Sequence, residues 1–243
     1  ARGAVLAHTV IRTDTYTDIE PYIAELAEAV KRIIKEAGVE GKVRGIGVGA
    51  PNANYYDGTI ANAVNLSWGG PKSIPFAKLL SEAMDGLPVS LTNDANAAAV
   101  GEMTYGAARG MKNFIMITLG TGVGSGIVIN GNVVYGHDGF AGELGHVTAV
   151  RSNGRSCNCG KTGCLETGAS GSAVHRIFME KIQEGRASSW SEIHSKGEYI
   201  HIEDIIDAAN EEDVLAIEVV EEIGTVLGRA IAGLINIFNP ELI

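Results

Sequence analysis

An excess of basic charge is missing from this chain: 19 lysines and arginines stand against 29 aspartates and glutamates, a net charge of −10. Nothing gathers into the basic stripe that nucleic acid demands, which argues against a nucleic-acid partner for this stretch. The N-terminal residues lack a basic segment followed by a long apolar run, so no leader peptide is expected. Long apolar runs are scarce throughout. The most apolar late stretch, Ile223 to Phe238, is short for a membrane span and carries Arg229, so a buried helix is expected there and no membrane partner. Only three cysteines occur, an odd and clustered set that argues against a disulfide framework and suits a reducing, cytoplasmic compartment. No low-complexity linker or tandem repeat interrupts the chain. What remains is ordinary for a soluble globular protein: 45% hydrophobic and 20% charged over 243 residues, enough for two medium domains or one large one.

Residues 2–13, "RGAVLAHTVIRT", alternate in the manner of a strand already under way. Thr17 and Glu20 have the spacing of a capping box, and Pro21 suits a first helical turn. Behind them Ile19, Ile23, Leu26, Val30, Ile33 and Ile34 follow a 3.6-residue period up to Gly38, which predicts an amphipathic helix. A short buried strand follows in "KVRGIGVGAP", then a helix from Pro75 to Met84, then a strand in "PVSLTND". Strand–helix–strand–helix–strand points to an open α/β sheet. Beyond Asn113, "NFIMITLG" and "GSGIVIN" are continuous apolar runs, and Asn130-Gly131 is a hairpin signal. Two helical tracts close the chain, near residues 168–184 and 213–238, and Leu242-Ile243 read as the opening of another strand. The expected division is a smaller N-terminal α/β lobe over residues 1–98 and a larger C-terminal α/β lobe over residues 99–243. Both ends read as cut within structure.

Four short stretches carry chemistry. The three cysteines, Cys157, Cys159 and Cys164, lie within eight residues, and His146 stands eleven residues before the first. Three thiolates and an imidazole make a closed tetrahedral zinc set, with no position open for catalysis. Gly160 and Gly163 permit the tight turns that wrap an ion. Unpaired thiols or a redox pair are the other readings; the spacing is not Cys-x-x-Cys and no thioredoxin-like context surrounds it. The glycine-rich run Gly120 to Gly126 can bring backbone N–H groups to phosphate oxygens, with Thr121 adding a hydroxyl. It matches neither a Walker loop nor a dinucleotide fingerprint, and a tight turn without a ligand explains it equally well. Asp94 ends a buried strand just before a small-residue helix, the position where open α/β sheets bind ligands. A carboxylate there can take a proton from a substrate hydroxyl during phosphoryl transfer, or can simply cap the helix. Asn93 offers donor and acceptor to a polyol. Glu143 and His146 sit among glycines, and Glu166 follows Cys164 by two residues; a metal at His146 would orient its other ring nitrogen towards a ligand. Solvated loop charge is the plainer account of both glutamates.

Taken together, "LTNDANAAAVGE", "TLGTGVGSGIVING", "GFAGELGH" and "CNCGKTGCLE" resemble the ROK family of bacterial sugar kinases and sugar-responsive repressors, over nearly the whole chain. The resemblance implies a two-lobed, actin-like (ribonuclease H-type) ATPase fold that closes on sugar and ATP. It implies ATP-dependent phosphorylation of a hexose, glucose first, at its 6-hydroxyl. On this likeness Asp94 is the general base; Asn65, Asn93, Glu143, His146 and Glu166 bind sugar hydroxyls; Thr121 and Gly122 sit at the ATP phosphates. His146, Cys157, Cys159 and Cys164 hold a structural zinc, Mg²⁺ arrives with ATP, and the protein is a homo-oligomer. The family's first strand and phosphate loop, an Asp-x-Gly-Gly-Thr turn, and its C-terminal nucleotide segment are not seen in this chain. The ATP site is therefore only partly represented, and weak turnover by these residues alone is expected. A sugar-responsive transcriptional regulator is the alternative within the family, and a non-enzymatic zinc module the alternative outside it.

Overall fold

A computed structural model describes residues 3–63, 66–70, 72–195 and 197–243. The chain divides into two compact units: the chain up to Met111 joined by Gly126–Ala141, and Lys112–Ser125 joined by Gly142–Ile243. The boundary expected after residue 98 would cut a helix that the structure keeps whole in the first unit. Gly126–Ala141 also rejoins that unit after an excursion, a return that no local pattern announces.

The first unit opens with helix α1 (Ile19–Glu36), whose apolar period turns Tyr22, Ile23 and Ala27 into the core. Its N-cap is Asp18 with no side-chain cap bond, so the capping box expected from Thr17 and Glu20 is not formed. Strands β1 (Ile46–Gly49), β2 (Ile60–Ala61) and β3 (Ser73–Ile74) follow, then helix α2 (Phe76–Ala83), strand β4 (Val89–Thr92) and helix α3 (Asp94–Tyr105). β1 runs parallel to β4, from Ile46 opposite Val89 to Gly49 opposite Thr92, while β2 and β3 form a short antiparallel pair. Tyr22 stacks on Trp68 at 5.0 Å, Trp68 stacks on Phe76 at 5.9 Å, and Leu80 and Leu91 close the core beneath them. Of residues 2–13, expected as a strand, the described ones lie in none, and Val5, Leu6 and Val10 are exposed. Alternation chooses the faces of a strand, but a strand forms only against a neighbour that supplies the ladder.

Strand β5 (Phe114–Leu119) belongs to the second unit, and β6 (Val123–Ile129) carries the chain back into the first. There β6 turns through Asn130-Gly131 into β7 (Asn132–Val133), with Val128 opposite Val133. Asn130 and Gly131 both have positive φ, 52° and 77°, the requirement of a type I′ hairpin that the sequence anticipates.

In the second unit helices α4 (Glu166–Ala169), α5 (Gly171–Gln183), α6 (Ser191–Ser195), α7 (Ile202–Asn210) and α8 (Val214–Phe238) follow a loop-rich stretch. Phe178, Ile205, Leu215 and Val219 form the buried centre where α5, α7 and α8 pack. Leu242 bridges Phe114 in parallel and accepts the Ile115 N–H at 3.1 Å, so the strand expected at the end is present as one bridge. The buried helix expected over Ile223 to Phe238 is helical but mostly uncovered: Ile223 and Leu234 are buried, whereas Ile235 and Ile237 are exposed. A helix buries only the face its neighbours cover. Among the described residues no helix is long and apolar enough to cross a membrane.

Asp213 caps α8 and gives a pH-dependent test of this unit. Its Oδ1 accepts from the Ala216 N–H, and its Oδ2 accepts from the Ser189 N–H and the Ser188 and Ser189 hydroxyls. Burial alone would raise this carboxyl, yet the hydrogen bonds outweigh it and hold the pKa at about 2. Because the folded value lies below the unfolded one, the carboxylate contributes about 2 kcal/mol at neutral pH. That contribution is complete above the unfolded pKa and is lost as pH falls towards 2. Asp213→Ala is expected to lower unfolding stability by about this amount at pH 7 and by little at pH 2. Urea titrations at the two pH values measure it.

Candidate functional site

In the first unit, β4 delivers its C-terminal end to the start of α3. The helix is capped by Asn93, whose Oδ1 accepts the Ala95 N–H at 2.9 Å. Asp94, read from the sequence as a possible cap, is instead the first helical residue; its Oδ1 also takes the Ala95 N–H at 2.9 Å. Asn93 occupies the N-cap position and shares the Ala95 N–H with Asp94, which is exposed at the strand end with Oδ2 as its second acceptor. Gly49, at the end of β1, lies against this corner. A Cβ there would stand 2.9 Å from the Ala97 Cβ and 3.3 Å from the Asp94 Cα, so only glycine lets the strand hold the helix start this closely. That supporting residue was not singled out from the sequence. Asn65 lies outside the described residues.

In the second unit the cysteine loop is folded as a small β cradle. Thr148 bridges Cys164, Ser156 bridges Thr162, and the Leu165 N–H reaches the Val147 carbonyl at 2.9 Å. Gly163 makes this possible: at φ +75° it passes the Val150 carbonyl so closely that a Cβ would overlap it. His146 ends a single 3-10 turn, Leu144–His146, that begins after Glu143. The ligand atoms of His146, Cys157, Cys159 and Cys164 all fall within 4.8 Å of one another. The Cys157 Sγ is 3.6 Å from His146 Nδ1, and the Cys159 and Cys164 sulfurs are 3.5 Å apart. Tetrahedral zinc with ordinary bond lengths needs about 3.8 Å between sulfurs and about 3.5 Å from sulfur to nitrogen. The donor set and its spacing fit a zinc ion. Burial pushes the Cys157 thiol up to about 12 and also lifts Cys164, while the Lys161 backbone N–H lowers Cys159. Such thiols shed their protons when a metal binds. Lys161, not anticipated as a site residue, donates from Nζ to the His146 carbonyl at 2.9 Å and so ties the loop to the histidine.

Glu166 begins α4 immediately beyond the cradle. Its Oε1 accepts from the Cys157 thiol at 3.0 Å and lies 3.6 Å from His146 Nδ1. Its Oε2 lies only 2.7 Å from where a Cβ on Gly122 would stand. The glycine loop and the cysteine loop therefore meet at one carboxylate. Thr121 is exposed at the tip of the β5–β6 turn, which the Gly120 N–H closes onto the Gly122 carbonyl at 3.0 Å. The Gly171 N–H at the start of α5 donates to the Gly120 carbonyl at 2.9 Å. His146, Cys157 and Gly122 are thus brought together at Glu166.

Solved structures share this architecture. A ROK family transcriptional regulator, described as a homolog of the E. coli MLC protein, superposes with a TM-score of 0.79 at 33% identity, covering 93% of this chain and 55% of its own. A ROK family glucokinase from Streptomyces griseus, in complex with glucose and AMPPNP, gives a TM-score of 0.73 at 31% identity, covering 93% and 71% respectively. These likenesses define an α/β protein of the actin-like ATPase class. Within that class the chain belongs to the ROK family, whose model matches residues 4–243. Among curated relatives, a glucokinase of Halalkalibacterium halodurans is 47% identical over 200 residues, 82% of this chain. The chain spans 59% of that relative's length.

Proposed function

We infer that the protein is a sugar kinase that transfers the γ-phosphoryl group of ATP to the 6-hydroxyl of a hexose, glucose first. The observation that carries this reading is Asp94: an exposed carboxylate at a strand end, with its helix already capped by the neighbouring Asn93. Its Oδ2 accepts the proton as the hydroxyl oxygen attacks the γ-phosphorus and ADP leaves. Asn93 presents its Nδ2 donor beside it. In the second unit Glu143, the Nε2 of His146 and Glu166 bind sugar hydroxyls, and Asn65 is assigned the same role. Thr121 and Gly122 meet the phosphates, and Mg²⁺ comes with the nucleotide. His146 Nδ1, Cys157, Cys159 and Cys164 would hold zinc, which supplies rigidity and no step of the reaction. Names and bound ligands of relatives support the reading: the Halalkalibacterium protein is a glucokinase, and the Streptomyces griseus structure contains glucose and AMPPNP. A cytoplasmic homo-oligomer completes the proposal, with light scattering on the full-length protein as the test of its assembly.

The likeness to a ROK transcriptional regulator favours a second reading, sugar sensing without phosphoryl transfer. A coupled ADP-release assay of the full-length protein across a panel of hexoses separates the two. Sugar-dependent ADP release is the expected result; sugar binding with no release would overturn the kinase reading.

Gly122 offers a finer test. A methyl group at this position collides with the carboxylate end of Glu166, which can swing away, and not with backbone. Gly122→Ala is expected to raise the KM for sugar about tenfold, the cost of one misplaced charged hydrogen bond, while Tm moves little. Steady-state kinetics beside a thermal melt checks both halves.

A further inference from the structure

One aromatic cluster in the second unit has no part in the chemistry above. Tyr199 is 66% exposed, although Ile200 beside it is buried to 1% and anchors the segment. Its ring stacks on His175 of α5 at 5.0 Å and 21°, and His201 meets it edge-on at 4.9 Å and 75°. His201 is itself held by its backbone N–H, which donates to the Asp204 carboxylate at 2.8 Å. A large exposed ring clamped on two sides in this way is oriented, with little freedom left to lose when something stacks upon it.

The helix starts that flank the cluster meet the glycine loop. Gly171, which opens α5 and donates to the Gly120 carbonyl, lies so close to α7 that its Cβ would be 3.2 Å from the Ile202 side chain. The glycine turn and the starts of α5 and α7 therefore converge. His175 is one helical turn beyond Gly171, about 6 Å along the axis, which is less than the length of a nucleoside triphosphate. We propose that Tyr199, held by His175 and His201, is the face on which the purine base of the nucleoside triphosphate stacks while its phosphates lie at Thr121 and Gly122. The assignment rests on the kinase reading and adds to it the residues that sense the base. An aromatic face accepts either purine, so this platform contributes affinity for the base and little choice between adenine and guanine.

The test is calorimetric titration of the full-length protein with ATP, GTP and inorganic triphosphate, for the wild type, Tyr199→Ala and Tyr199→Phe. Stacking on one ring sets the expected loss: Tyr199→Ala weakens ATP and GTP about tenfold, leaves inorganic triphosphate and sugar unchanged, and Tyr199→Phe restores both nucleotides. Unchanged ATP affinity in Tyr199→Ala overturns the platform. So does a loss shared equally by inorganic triphosphate, which would mark damage to the loop. Sugar-dependent ADP release by the wild type is followed in parallel. If release occurs and Tyr199→Ala binds ATP normally, only the platform fails; if the wild type binds no ATP, the kinase reading and the platform fall together.

Discussion

Asp94→Asn in the full-length protein should lower kcat by a factor of about 10² to 10⁴ and leave the KM for sugar close to the wild-type value. The substitution is nearly isosteric. Its amide oxygen can still accept the Ala95 N–H that Asp94 Oδ1 accepts at 2.9 Å, and the cap from Asn93 to the same N–H stays in place. The start of α3 should therefore survive, as would the approach of Gly49 to it. What disappears is the ability to take up a proton, which an amide lacks at any working pH. A general base acts in the transition state, so its loss appears in kcat and not in ground-state binding. Full turnover by the variant would remove Asp94 from the role assigned to it.

Cys159→Ser should take the zinc content from about one ion per chain to near zero, as read by elemental analysis of the purified full-length protein. Cys159 suits the test because it is exposed, whereas Cys157 and Cys164 are buried and would also lose packing. The loss of metal should carry two consequences. Structural zinc sites contribute on the order of 10 kcal/mol in small isolated modules, so the loop from His146 to Glu166 should become susceptible to proteolysis well below the global Tm. Sugar affinity should fall about 10- to 100-fold, because His146 and Glu166 lose the cradle that orients them. Wild-type protein that contains no zinc when prepared without chelators would sink the site. Zinc loss with unchanged sugar affinity would keep the metal but detach it from the sugar.

Legibility from sequence differs from element to element in this chain. The type I′ turn at Asn130-Gly131 was readable because its two residues are the ones that tolerate positive φ, a property of the residues themselves. The helical period of α1 was readable for the same kind of reason, yet its capping box was not formed, because a cap needs a geometry as well as a spacing. At the α3 start the sequence offers Asp94 as the cap, and the backbone places Asn93 there instead. The strand expected over residues 2–13 and the burial expected for the second half of α8 both exceed what the structure covers. In both cases an apolar pattern states what a segment could pack against, and the neighbours determine how much is covered.

The sequence by itself determined the chemical groups and their spacing: Cys157, Cys159, Cys164 and His146 as four groups able to hold a metal, and a carboxylate at the end of a strand. These depend on residue chemistry and on short separations along the chain. Tertiary structure alone decided that His146 turns Nδ1 towards the sulfurs, that Glu166 lies over Gly122, and that Tyr199 stacks on His175. Each of those contacts joins segments distant in sequence, whose meeting is set by the packing of the second unit and leaves no trace in either segment's local pattern.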